Sequence, residues 1–247
     1  YKKVYYSSLA NYPSPVNSVM NYVTSSTPAP DHEFMFHGAT ALHGLADTYD
    51  STITVTNYGA TLSANGAVFD GVDDYLSLTP WQFGGESITV EAYVKYNTFV
   101  SSGRIFDFSD GQGDDNVFLC NHDATSAAKW RMYDGINVVG YQLVDNVFET
   151  ATWVHIVAIV DGTTMKIYKN GVLADTESNG QEPPSLTRVQ HWIGRSPWSN
   201  HSYFDGTIAY LRFWHGTTLD ATQIATLYDN RPSIVPDHEF MFHGATA

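Results

Sequence analysis

The chain has 247 residues with 43% hydrophobic and 14% aromatic side chains, enough to bury the core of one large domain. Its 12 basic residues against 26 acidic ones give a formal charge of −14, which excludes polyanionic partners such as nucleic acid and anionic membranes. No stretch approaches the roughly 20 apolar residues of a membrane span, and the single Cys120 rules out a disulfide framework.

Residues 1–29 set Pro13, Pro15 and Pro28 among many Ser and Thr residues, so this part is expected to be an extended linker. Ser25, Ser26 and Thr27 in SSTPAP also suit an O-glycosylated stalk. PDHEFMFHGATA then occurs twice, at 30–41 and 236–247, identical at all 12 positions and offset by 206 residues. Self-similarity at such a period marks a tandem array. The expected organisation is therefore a linker at 1–29, one module at 30–231, and at 232–247 a linker with the first strand of a following repeat. HEFMFH has the lettering of a zinc-protease helix, but His32 and His37 are five apart, not the four that one helical face requires. Read as a strand, it sets His32, Phe34 and Phe36 on one face and Glu33, Met35 and His37 on the other.

Beyond the first copy the period is two. In SITVEAYVKY, Ile88, Val90, Ala92, Val94 and Tyr96 alternate with Thr89, Glu91, Tyr93 and Lys95, which predicts a half-buried strand with Glu91 facing solvent or a cross-strand partner. ATWVHIVAIV, nearly all apolar and β-branched, predicts a central strand; DGTT and Asn170-Gly171 predict the turns of a meander after it. Cys120 in VFLCN is expected in a buried strand, and HWIG and GTIAYLRFW supply late strands. A helix is expected after Asp220, whose cap pairs with Gln223 and whose face carries Ile224, Leu227 and Tyr228, up to Pro232. Many short strands with Gly-rich turns and one late helix predict an all-β, two-sheet sandwich.

AVFDGVDDYLSL, ESITVEAYVKY, TWVHIVAIVDGTTMKIYKNGVLA and FDGTIAYLRFWHGTTLDATQIATLYDNR, in that order, resemble the laminin-G-like, concanavalin-type modules over about residues 32–231. The resemblance implies an antiparallel jelly roll closed by N- and C-terminal strands lying side by side. It also implies an extracellular or cell-surface location and roles in adhesion, glycan binding or matrix building. Members often carry Gly-x-Ile-Asp-Glu in the last strand; here the stretch is Gly206-Thr207-Ile208-Ala209-Tyr210, which removes the acid a calcium site there would use.

Three candidate sites follow. Asp107, Asp110, Asp114, Asp115 and Asn116 in DFSDGQGDDN have the oxygen-rich spacing that Ca²⁺ requires, with Asp70, Asp73 and Asp74 as a second acidic cluster that also reads as a turn. Trp198, His201 and Tyr203 offer aromatic and polar groups for a sugar. Asn200-His201-Ser202 is an N-glycosylation sequon. No strand carries the paired carboxylates of a glycosidase, so an enzyme is not expected. The leading expectation is a structural repeat of a secreted fibre or matrix, joined end to end through its repeated strand to copies of itself. The alternative is a calcium-dependent glycan-binding module.

Overall fold

The structure, a computed structural model, describes residues 26–235. The first sheet runs in spatial order β14 (Val172–Glu177), β13 (Thr164–Lys169), β12 (Trp153–Asp161), β7 (Ile88–Tyr96), β17 (Asp205–His215), β4 (Gly66–Asp70) and β3 (Thr61–Ser63). β1 (His32–Met35) joins it on β17. The second sheet runs β11 (Asn137–Val144), β10 (Ala128–Asp134), β9 (Val117–Asn121), β8 (Arg104–Ser109), β16 (Gln190–Ile193), β5 (Tyr75–Leu78) and β2 (Val55–Tyr58). β6 (Gln82–Phe83) and β15 (Leu186–Thr187) form a short ribbon. All these pairings are antiparallel, and the result is the jelly-roll sandwich expected.

The alternation read from the sequence places the core between the sheets. Phe34, Val90, Ala92, Ile156, Ala158, Leu211 and Phe213 of the first sheet face Phe106, Phe108, Leu119, Trp130, Leu76 and Ile193 of the second. Trp81 and Phe83 fill one end with edge contacts to Phe108 and Phe213. β12 is central and β13 returns from it; the next turn has Asn170 at φ 50 and Gly171 at φ 78, the two positive angles that an Asn-Gly hairpin supplies. Gly171 has a second constraint: a Cβ there would lie 3.1 Å from Tyr228.

The outer face of the first sheet is covered by α1 (Ala221–Asp229). Asp220 and Gln223 form the complete capping box, and Ile224 and Leu227 pack on Val157, Ile159, Tyr168 and Trp214. The opening and closing strands do lie side by side, β1 pairing with β17 from His32↔Phe213 to Met35↔Tyr210. Phe36 and His37 continue that edge by donating to the Ala209 carbonyl at a bulge in β17, where the family's acidic pair is missing. Both ends of the described chain fold back onto this sheet. Trp214 Nε1 donates to the Pro28 carbonyl, and Asn65 exchanges two hydrogen bonds with the Val235 backbone. The second copy of the repeat and most of the linker lie outside the described residues.

Candidate functional site

The outer face of the second sheet is crossed by the segment between β16 and β17. This loop closes on itself through Phe204 N–H to the Gly194 carbonyl (2.9 Å), and is tied to the sheet by Ser202 N–H to Ser101 (2.9 Å). Phe204 anchors it in the core against Phe69 and Tyr96. Within the loop, Ser196 Oγ accepts from Trp198 N–H, and His201 N–H donates to the Trp198 carbonyl. These turns hold the Trp198 ring over Phe118, Tyr133 and Cys120, with His201 stacked on it at 5.4 Å.

Beneath the loop lies a fully buried guanidinium. Arg104 donates through Nε to Asp107 (2.8 Å), through Nη1 to Ser102 O (3.0 Å) and Cys120 Sγ (3.2 Å), and through Nη2 to His201 Nδ1 (3.1 Å). Its carbon sits 3.9 Å from the Phe118 ring centroid. Burial pushes the Asp107 carboxyl up to about 6, although Arg104 and Asn116 pull it down. Burial, with the charges of Arg104 and Lys129, lowers His201 to about 4, so at neutral pH its imidazole is uncharged.

Beside Trp198 opens a cavity of about 280 Å³ lined by Arg195, Ser196, Pro197, Trp198, Ser199, His201 and Tyr203. The Arg195 guanidinium carbon lies 4.1 Å from the ring of Trp192, 4.6 Å from that of Tyr75 and 5.9 Å from that of Tyr203. Tyr75 in turn stacks on the exposed Tyr58 at 4.4 Å and 2°. The site thus combines flat rings with hydrogen-bond donors, as a small polar ligand requires.

The three residues singled out for sugar contact, Trp198, His201 and Tyr203, therefore stand on one wall system. The five singled out for Ca²⁺ do not converge. Asp107 is in β8, buried on Arg104 and Asn116; Asp110 accepts from Val189 N–H and Asp115 from Gly135 N–H. Arg188, also buried, holds the Asp115 carbonyl. In this arrangement the spacing serves turn geometry and a buried ion pair. Among the described residues, the acids whose oxygens lie within 4.8 Å of one another are Asp70, Asp73 and Asp74. There Asp74 accepts from Asp70 N–H, and burial together with the charges of Asp70 and Asp73 raises its carboxyl. Asn200 and Ser26 are exposed, whereas the Thr27 hydroxyl is buried, which argues against a glycan on it. Ser25 lies outside the described residues.

Glu91 takes the cross-strand role expected of it, opposite Arg212 of β17, but does so away from solvent. It is fully buried, bonded to His155 Nε2 (2.8 Å), Tyr210 Oη (2.8 Å) and Arg212 Nη1 (3.2 Å), and Arg212 continues to Glu33 (2.5 Å). Burial alone would raise its carboxyl, but these partners hold it below the usual range. A single acid consumed by three partners is a structural link between β1, β7, β12 and β17.

A family model described as the concanavalin A-like lectin/glucanases superfamily, of the laminin-G type, matches residues 70–225. No curated protein matches the sequence. Among solved structures, domain 4 of AbnA is similar, an extracellular GH43 arabinanase from Geobacillus stearothermophilus in complex with arabinotriose. The likeness has a TM-score of 0.62 and 18% identity over 81% of this chain and 98% of that one. The botulinum neurotoxin serotype G binding domain has a TM-score of 0.60 and 16% identity, over 81% of this chain and 50% of that one. The serotype D ligand binding domain, in complex with N-acetylneuraminic acid, has 0.59 and 15% over the same shares. The chain thus spans about half of the toxin domains, and at these identities the likeness is one of fold. No helix among the described residues is long and apolar enough to cross a membrane.

Proposed function

The chain belongs to the concanavalin A-like lectin/glucanase superfamily, and on that premise we propose that it is a non-catalytic carbohydrate-binding module of an extracellular protein. The observation that carries this reading is the cavity in which Trp198, His201, Tyr203 and Arg195 meet on the outer face of the second sheet. A pyranose or furanose ring stacks its apolar face on an aromatic ring while its hydroxyls take polar neighbours, and both are supplied here. The sugars in the arabinanase-domain and serotype D complexes support the ligand class. Calorimetry against a glycan panel tests it: saturable binding that is lost on Trp198→Ala supports the proposal, and an absence of binding across the panel sinks it. Repeating the titration with chelator tests the calcium requirement expected from the sequence, for which Asp70, Asp73 and Asp74 are the gathered carboxylates. Incubation with polysaccharides should give no turnover.

A second reading, a tandem structural module of a secreted fibre or matrix that joins neighbouring copies, is favoured by the repeated dodecamer. In the first copy Phe34 and Phe36 are fully buried, Asp31 binds His215 N–H (2.7 Å), His32 meets Asp47 (2.5 Å) and Glu33 meets Arg212. The second copy carries every one of these side chains, so it is chemically equipped for the same slot in another module. A chain lacking residues 26–37, refolded with synthetic PDHEFMFHGATA, should recover stability. If the peptide gives no recovery and the full chain stays monomeric in light scattering, strand donation is wrong.

A further inference from the structure

We propose that the cavity beside Trp198 selects a carboxylate-bearing sugar, with the Arg195 guanidinium as its anion contact. This rests on the carbohydrate-binding reading above and narrows it to an acidic ligand. The argument begins with what Arg195 lacks. The chain has 26 acidic residues for 12 basic ones, yet Arg195 has no carboxylate and no hydrogen-bond acceptor among the described residues. Arg104, Arg212 and Lys169 each meet a carboxylate, on Asp107, on Glu33 and Glu91, and on Glu149. Arg188, also without an acid, is taken up by the backbone carbonyls of Asp115, Phe83 and Pro184. What Arg195 has instead is a ring on each approach, from Trp192, Tyr75 and Tyr203.

These rings crowd the guanidinium carbon but accept no N–H hydrogen bond in the plane of its N–H edge, and no acceptor among the described residues takes its N–H groups. That edge is a planar fork, which pairs two-for-two with a planar carboxylate. The rings also fix the fork in place, so little rotamer entropy is lost when an anion arrives. His201 adds a second donor in the same cavity. Its Nδ1 faces Arg104, which can only donate, so the proton sits on Nε2, and no hydrogen bond within the described residues uses that atom. The Ser199 and Tyr203 hydroxyls complete a lining rich in donors and without a carboxylate. A neutral sugar brings no charge to the Arg195 guanidinium, whereas an acidic sugar supplies the carboxylate that no residue of this lining offers.

The same face carries a second arginine without an acid. Arg131 of β10 lies over Tyr133 (4.8 Å) and Tyr141 (5.5 Å), and its Nε is buried with no partner. The net charge of −14 sets the opposite limit: a polymer dense in charge is repelled, so the ligand carries isolated acid groups.

The test is calorimetry of the whole chain with matched probes: sialyllactose against lactose, and galacturonic acid against its methyl ester. A charged member of a pair should bind about ten- to a hundredfold more tightly than its neutral counterpart, the usual worth of a charge-assisted hydrogen bond. Arg195→Gln should remove that preference while leaving residual affinity for the neutral sugar, and Arg195→Lys should keep only part of it. Circular dichroism and the melting temperature check that the variants fold, and the ester comparison needs no variant. If neutral and charged probes bind equally, or the preference survives Arg195→Gln, the acid-recognition proposal is overturned and sugar binding stands. If neither these probes nor the wider panel bind, the carbohydrate reading falls and this inference with it.

Discussion

Nη2 of Arg104 lies 3.1 Å from Nδ1 of His201 in the wall of the cavity. Because a guanidinium has only donors, Nδ1 must accept, and the imidazole is held in its Nε2–H form. Protonating Nδ1 would set two cations against each other without water between them. An NMR titration should therefore place the His201 midpoint near 4. A midpoint near the ordinary value would mean that Arg104 does not hold this tautomer.

His191 is stacked on Phe108 at 4.0 Å and touches Trp81, with both ring nitrogens buried and unpartnered. Burial, reinforced by Arg188 and His32, lowers it to about 3. The folded value lies below the unfolded one, so the unfolded chain takes the proton first. Stability is fully present above about pH 6.5 and is lost as pH falls toward 3. Asp107 opposes this between about 4 and 6, where its raised carboxyl takes up a proton in the fold. His191→Phe should raise the melting temperature at pH 7, gaining about 1 kcal/mol by removing two stranded polar atoms. It should also shrink the loss of stability between pH 7 and 5. An unchanged pH profile would show that another group is responsible.

Asp107→Ala should destabilise the fold by about 3–5 kcal/mol, because it leaves the buried Arg104 without its carboxylate. Asp114 is exposed, and Asp114→Ala should stay within about 0.5 kcal/mol. Urea unfolding compares the two. Equal costs would mean that the acids of this loop act together after all, as they would around a cation.

Glu91→Ala should cost about 3–5 kcal/mol, since Arg212, His155 and Tyr210 all lose their shared acceptor. Glu91→Gln keeps the shape and one acceptor, and should cost less. If both variants melt like the parent, the network is incidental to the fold.

Local rules carried the elements far. The two-residue period of β7, the Asn170-Gly171 turn and the Asp220–Gln223 box are written in neighbouring residues, and the fold follows from them. Pairings across long stretches of chain were not legible. Glu91 reads as facing either solvent or a cross-strand partner, and the choice is open in the sequence because His155 and Arg212 stand 64 and 121 positions away, on strands whose registers only the sheet brings together. Asp107 through Asn116 read as one loop for the complementary reason: they are adjacent in a Gly-rich stretch, although Asp107 lies within β8 and is turned to Arg104 of the same strand. Trp198, His201 and Tyr203 were visible as aromatic and polar residues in one loop. Arg195 was not, since what distinguishes it is the set of rings from β5 and β16 around it.

The two clasps on the first sheet sit at opposite ends of β1. Pro28 is held by Trp214 where the strand begins, and Val235 is held by Asn65 where it ends, beside His37. Tension applied to the chain through these two points runs along β1 rather than across it. The hydrogen bonds to β17, with the Phe34 and Phe36 side chains beneath them, are then loaded together in shear, not peeled one at a time. Single-molecule pulling from residues 28 and 235 should therefore register a high rupture force that falls on Phe34→Ala.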